Sequence, residues 1–513
     1  MQGVNWVALS VFVALFLFVS WLGFAAARWR RGDLDQLHEW GLGGRRFGTL
    51  ITWFLVGGDL YTAYTFVAVP ALAFGAGALA FFAVPYTIVI YPILFLVFPR
   101  LWYVCHKRGY ITAGDFVKGR FGNRWLALAI TVTGIVATMP YIALQLVGIQ
   151  VLIGALGISG TGFTAELPLL IAFVVLAAFT YSSGLRAPAS IAIVKDILIY
   201  ITAFTAVIVV PMQLGGFGKI FAAIPADKII LAAPGANSTG AYSAYATLAL
   251  GSALALFLYP HSLTGILSAS SGRAIRRNAA MLPGYTFMLG LLALLGFLAI
   301  AAGVKDMPQY AAGFRQFNNN FAVPALLLHS FPSWFVGVAF AAIGIGALVP
   351  AAIMSIAAAN LYTRNIHREF INHNPTPREE SQVAKWVSLI VKVGALGFIL
   401  FVPTKYAIQL QLLGGIWIIQ TLPAIMFGAY TRWFNPWALL TGWAVGTFTG
   451  TWMAIAANLT PTFPLKVAAF TFPGYSAFYT LLLNLLLAVI LTPIFNALSS
   501  PGGDETREAD YYA

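Results

Sequence analysis

Apolar residues in this chain gather into long blocks separated by short polar segments. Stretches near the roughly 20 residues needed to cross hydrocarbon recur about thirteen times. They start near residues 5, 46, 78, 124, 164, 190, 241, 280, 332, 384, 405, 434 and 470. The pattern predicts an all-α polytopic membrane protein of about 13 transmembrane helices. No long polar block interrupts the series, so residues 1–498 read as a single transmembrane domain and 499–513 as a short, polar, mobile tail.

Two of the blocks are poorly built as anchors. The one from about Arg46 to Ala76 carries Gly57-Gly58-Asp59 in its middle, followed by Tyr61, Thr62, Tyr64 and Thr65. Paired glycines weaken a helix there, and a carboxylate near the bilayer centre costs about 2.5 to 3.5 kcal/mol on insertion scales. The run from about Ala241 to Ser270 contains Tyr259-Pro260-His261-Ser262, where proline leaves the carbonyl one turn earlier without its helical donor. One interrupted helix opens spans two to six and the other opens spans seven to eleven. Span two runs inside to outside and span seven the reverse, so the groups at about 46–213 and 241–429 are inverted relative to each other. Extra helices fall at 5–27, 434–457 and 470–496. Interrupted helices at matching positions of inverted halves point to the binding site of a secondary transporter.

Charge supports this arrangement. The first span, Asn5 to Ala27, is followed by Arg28, Arg30 and Arg31 with no positive charge before it, which favours a retained helix with its N-terminus outside. Counting loops from there, most of the 29 Lys and Arg residues fall inside. Lys219, Lys228, Lys305, Arg315, Lys405 and Lys466 fall outside, and Lys392 lies within a span. Arg186 and Lys195 count as inside. The C-terminus is then cytoplasmic, and the net charge of +13 reflects this bias rather than nucleic-acid binding. With 60% hydrophobic and 9% charged residues there is no soluble basic domain to bind a nucleic acid. A single cysteine, Cys105, excludes a disulfide framework, and the six histidines form no His-Glu-x-x-His pattern. No phosphate-binding Gly-x-x-x-x-Gly-Lys motif is present, so energy for pumping must come from an ion gradient. No clustered catalytic set is visible, and the chain does not read as an enzyme.

Several strings resemble the sodium:solute symporter family. They are Gly41-Leu42-Gly43-Gly44-Arg45-Arg46, then Tyr110 to Phe116 leading to Arg120-Phe121-Gly122, Tyr141 and Gln145, Gly184-Leu185-Arg186-Ala187, Pro260-His261, and Ala351 to Ser355. The runs Tyr259 to Ser271 and Gly184 to Asp196 are most similar to bacterial monocarboxylate permeases. The resemblance implies a leucine-transporter-type fold with five-plus-five inverted helices in a bacterial inner (plasma) membrane. It implies symport of pyruvate, lactate, acetate or a similar acid with a cation and without a cofactor. Na+-coupled symport of an amino acid or another small solute is the alternative. Partners are the solute and the lipid bilayer; the sequence leaves the oligomeric state open.

The family's sodium site, carried over by position, falls on the carbonyls of Gly58 and Tyr61 and on Ala352, Ser355 and Ile356. Each pair, Gly58 with Tyr61 and Ala352 with Ser355, is three apart and shares a helix face. Ile356 lacks the hydroxyl common at its position, so one ligand of the sodium site is missing; either water, Thr62 or Asp59 completes the site, or it no longer binds sodium. Asp59 offers a second mechanism as a proton carrier, since burial makes a carboxylate able to hold a proton. Proton coupling is therefore placed slightly ahead of sodium. The alternative reading has Asp59 capping the second half-helix. Thr62, Thr65, Tyr141, Gln145 and His261 are the candidate solute contacts. For His261, satisfying freed carbonyls is the other reading, and for Tyr141 and Gln145, packing. Asp59 reads as the acidic residue deepest in a span, with Asp196 either on an ion exit path or a partner for Lys195. Lys392 either snorkels or faces a watery cleft.

Overall fold

The computed structural model describes residues 3–28, 32–158, 163–401, 407–498 and 503–513. Arg30, Arg31 and Lys405 from the loop count, and the first residues of the expected tail, lie outside these. Helix α1 (Trp6–Ala25) starts where the Asn5 side chain accepts the Ala8 N–H. A short, largely buried helix, α2 (Leu37–Leu42), leads into Gly43 and Gly44, both at positive φ, and so into the first interrupted span.

That span is broken as expected. A helical start, α3 (Thr49–Thr52), widens into a π-helical turn at Trp53–Gly57, unwinds over residues 59–62, and resumes as a π-turn at Tyr64–Ala68 and helix α4 (Val69–Ala76). Helices α5 (Ala83–Arg108), α6 (Ala113–Phe121), α7 (Arg124–Ala155), α8 (Phe163–Ser183) and α9 (Arg186–Gln213) follow. Gly109 and Gly122 close α5 and α6 in the left-handed region, while Thr112 and Asn123 cap the starts of α6 and α7. Two short helices, α10 (Phe217–Ala223) and α11 (Ala226–Ile229), lead to the second interruption. There α12 (Gly240–Leu256) and α13 (Pro260–Leu267) are bent by 48°. Proline at the first position of α13 suits a helix start, because the missing N–H has no helical partner there.

Helices α14 (Gly272–Met281), α15 (Pro283–Ala301), α16 (Ala311–Phe317) and α17 (Ala322–Ser330) precede α18 (Ser333–Tyr362). Helix α18 is buried along almost its whole length, packed on α1, α7, α9 and α19 (Pro377–Phe401). Small residues permit this approach: a side chain on Gly337 would meet the Ala8 backbone. Helices α20 (Ala407–Ile418), α21 (Pro436–Ala456) and α22 (Ser476–Leu498) complete the bundle.

Among the described residues, seven continuous helical segments are long and apolar enough to cross a membrane, or eight with the bent pair, and Leu167–Ser183 and Gln411–Phe427 are shorter apolar helices. The thirteen expected spans do not all appear as unbroken helices. The span near residue 46 is divided at its glycines, and the one near 384 carries its charges on the first turns of α19. The span expected from 470 begins instead as an antiparallel hairpin, β1 (Thr462–Val467) and β2 (Phe470–Tyr475), and only then turns helical. Tyr475 N–H donates to Thr247 Oγ1 at 2.8 Å, tying this hairpin to α12.

The two interrupted spans run in opposite senses. Phe47, at the start of the first, pairs with the end of the second: its N–H donates to Ser268 O, and Ser270 N–H donates to Phe47 O. At this same end of the molecule, Arg186 and Arg46 both pair with the buried Glu39, Arg45 reaches Tyr110 O, and Asp115 meets Asn365 and Arg364. The last residues dock here too, contrary to the mobile tail expected. Asp504 pairs with Arg120 at 2.9 Å, Asp510 with Arg108 at 2.6 Å, and Tyr511 is buried. The acidic tail finds its partners in the basic ends of α5 and α6.

Candidate functional site

The site is built where the two breaks meet. Ser262 Oγ donates to Asp59 Oδ2 at 2.9 Å, and His261 Nε2 lies 3.3 Å from the same oxygen. One break supplies the carboxylate and the other supplies the hydroxyl and imidazole. Asp59 is 7% exposed and His261 2%, so the pair is shut away from water. Asp59 Oδ1 and His261 Nδ1 are buried with no hydrogen-bond partner among the described residues, which leaves one acceptor and one ring nitrogen unspent at the centre of the cluster. The rings of Tyr141 and Tyr259 each stand 5.3 Å from the imidazole.

The other predicted solute contacts serve the broken backbone. Gln145 Oε1 accepts the Ala63 N–H at 3.0 Å, and Thr62 Oγ1 accepts the Tyr64 N–H at 3.0 Å. Thr65 Oγ1 accepts the Thr62 N–H and donates to the Thr62 carbonyl, both at 2.9 Å. Unwound backbone in hydrocarbon must be satisfied by protein, and these three side chains do so. Of the five, His261 meets Asp59 and Tyr141 packs against His261, while Thr62, Thr65 and Gln145 hold the loop in shape.

The predicted ion ligands divide differently. Lys195 Nζ donates to the Gly58 carbonyl and lies 3.4 Å from the Tyr61 carbonyl. It also lies 3.2 Å from Asp196 Oδ1, and Asp196 Oδ2 accepts the Tyr285 hydroxyl at 2.5 Å. Lys195 and Asp196 are fully buried within α9, so neither belongs to a loop and Asp59 is not alone among buried acids. A Cβ on Gly58 would stand 2.9 Å from both Asp196 Oδ2 and Lys195 Nζ, which explains the glycine.

Ala352 and Ser355 are not brought to these carbonyls. On α18 it is the level of Gly346 that comes beside Tyr61 O, with a Cβ position there 3.7 Å away. Ser355 lies nine residues further, about 13.5 Å along the helix. Its hydroxyl donates to Ala352 O at 2.8 Å and neighbours Ser388 Oγ, which accepts from Lys392 Nζ at 2.8 Å. Ile356 is buried nearby as an ordinary core residue. Lys392 is thus buried rather than snorkelling, and no carboxylate lies within ion-pair distance of it among the described residues.

Sequence reasoning missed Lys195, Ser262, Tyr259 and Tyr285 as site residues. The signal for Lys195 was present: a Lys-Asp doublet deep in the apolar run Ile191 to Tyr200 is costly unless paired. A separate small cavity of about 20 Å³, room for about one water, lies between Thr112, Gly134, Pro260, Thr264, Ala357 and Thr421, and none of Asp59, His261 or Tyr141 lines it.

Comparison with known proteins agrees with this architecture. A monocarboxylate transport permease protein of Rhizobium johnstonii is 52% identical over 96% of this chain and 98% of its own length. The uncharacterized symporter YodF of Bacillus subtilis is 33% identical over 98% and 96% of the two chains. A solved Na+-coupled sialic acid symporter, in a substrate-bound outward-open state, has a TM-score of 0.76 at 15% identity, over 97% of this chain and 99% of that one. This likeness establishes the shared fold. The model of the sodium:solute symporter family matches residues 40–446. With two interrupted spans meeting at a buried site, and with these matches over nearly its whole length, the chain is a multi-pass membrane transporter belonging to the sodium:solute symporter family.

Proposed function

We propose that this symporter imports a small monocarboxylate such as pyruvate, lactate or acetate together with a proton, across a bacterial inner membrane. The observation that carries the reading is the meeting of Asp59 with Ser262 and His261 at the two helix breaks. A carboxylate solute arriving beside an ionised Asp59 is repelled, because two carboxylates in one buried site cannot both stay charged. Protonation of Asp59 removes the repulsion and leaves to the solute His261 and the N-terminal end of α13, whose dipole favours an anion. Solute and proton then bind together and cross as a neutral pair, which spares the anion the cost of moving against a negative interior.

Support comes from the monocarboxylate named for the Rhizobium relative. The opposed senses of the broken spans fit five-plus-five repeats at about 46–213 and 241–429, rocking about this site. The cluster of bases at the end that holds Arg45, Arg120 and Arg186 favours that end as cytoplasmic, together with the C-terminus. The competing reading is Na+-coupled uptake of an amino acid or another small solute. Purified protein in liposomes, given labelled pyruvate, separates the two by competition. Excess lactate and acetate should suppress uptake and alanine should not; suppression by alanine alone would replace the monocarboxylate with an amino acid.

A further inference from the structure

The family to which this chain belongs implies sodium at the first helix break, and the residues present do not fit it. The two carbonyls that would bind the ion, those of Gly58 and Tyr61, are both within reach of Lys195 Nζ. The helix that would supply hydroxyls presents Gly346 to the Tyr61 carbonyl, and glycine has no side-chain oxygen. Ser355, the hydroxyl expected to complete the site, lies about 13.5 Å further along and is joined through Ser388 to a second buried ammonium, Lys392. Each expected half of the sodium site therefore has a lysine beside it.

We propose that the Lys195 ammonium is the resident cation of the first helix break, seated on the Gly58 and Tyr61 carbonyls and paired with Asp196, in place of a bound sodium ion. A hard cation seeks oxygen ligands, and here the tethered ammonium takes two carbonyls and a carboxylate that would otherwise attract one. The charged and titratable groups around it are Asp196 and Tyr200 on α9, Tyr285 on α15, and Tyr61 and Asp59 on the first broken span. Tyr285 fixes Asp196 from the far side, and its own carbonyl accepts the Tyr61 hydroxyl at 3.2 Å, so the pair sits in a closed frame. Glycine at 58 admits the two charged ends to the backbone. This inference deepens the coupling half of the proposed function and takes nothing from the choice of solute.

The test measures sodium itself, without any transported solute. Full-length protein in detergent is titrated with sodium replacing potassium at constant ionic strength. Binding of radioactive sodium and the thermal unfolding midpoint are both followed. The wild type is expected to show no saturable sodium binding and no shift. K195A exposes the two carbonyls beside an unpaired Asp196 and should gain saturable binding with a rise in midpoint; K195A/D196N should lose both again. K195M, which refills the volume of the stem, stands in if K195A does not fold. Saturable sodium binding by the wild type overturns the proposal, and so does a folded Lys195 variant as silent to sodium as the wild type. Failure of pyruvate uptake in a separate experiment would remove the monocarboxylate and leave this result untouched.

Discussion

Gly58→Ala asks how much depends on the close approach at the first break. The new Cβ would stand 2.9 Å from Lys195 Nζ, 2.9 Å from Asp196 Oδ2 and 3.1 Å from Asp196 Oδ1, all tighter than van der Waals contact. Both side chains are fully buried, so they can retreat only by loosening the Lys195 contacts to the carbonyls or the Asp196 contact to Tyr285. Hydrogen bonds to charged groups are worth about 1.5 to 3 kcal/mol each, so disturbing two costs about 3 to 6 kcal/mol. Against this, Gly58 has ordinary right-handed helical angles, and alanine there gains about 1 kcal/mol in propensity. The net expectation is a loss of about 2 to 5 kcal/mol. Unfolding of a large membrane protein is usually irreversible, so midpoints are compared in one detergent at one scan rate. Gly290→Ala in α15 is the control, because its nearest neighbour would be Val84 Cγ2 at 3.7 Å and its stability should hold or rise slightly. A Gly58→Ala protein as stable as the control would show that Lys195 and Asp196 are not held against this backbone.

Two other variants separate solute chemistry from scaffold. Asp59→Asn keeps the shape and the acceptor for Ser262 but removes the titrating group; pH-driven accumulation should disappear while exchange of labelled for unlabelled solute across the liposome persists. Gln145→Leu removes the acceptor for the Ala63 N–H and should cost about 1 to 3 kcal/mol, seen as a lower unfolding midpoint, because that buried donor is left unpaired.

The broken spans were legible because glycine pairs, proline and a carboxylate interrupt otherwise apolar runs, and each lowers helix stability or costs insertion energy for a reason readable residue by residue. Asp59 and His261 were found this way, and the structure brings them within 3.3 Å. The division of labour among Thr62, Thr65, Gln145 and Tyr141 was not legible. A hydroxyl or amide facing the interior can serve a solute or an unwound backbone equally well, and only the position of the Ala63 and Tyr64 N–H groups decides. Register along α18 was also hidden, since in a long helix rich in small residues many sets of positions share one face, and no turn or cap near Ser355 fixes its level. Lys195 was misplaced because Arg186 suggested a loop, whereas α9 starts at Arg186 itself, which is held by the buried Glu39. At the far end, Phe470 to Tyr475 is apolar enough to read as the start of a span, yet it pairs with the adjacent Thr462–Val467 as a hairpin, and only that pairing distinguishes the two.

The central claim is that the meeting point of the two helix breaks couples solute to a proton. It is tested most directly by uptake of labelled pyruvate into liposomes holding the wild-type protein, with the membrane potential clamped and the pH and sodium gradients imposed one at a time. An inward proton gradient without sodium should drive accumulation above the external concentration, and a sodium gradient at constant pH should drive none. Accumulation driven by sodium alone at constant pH would contradict the account.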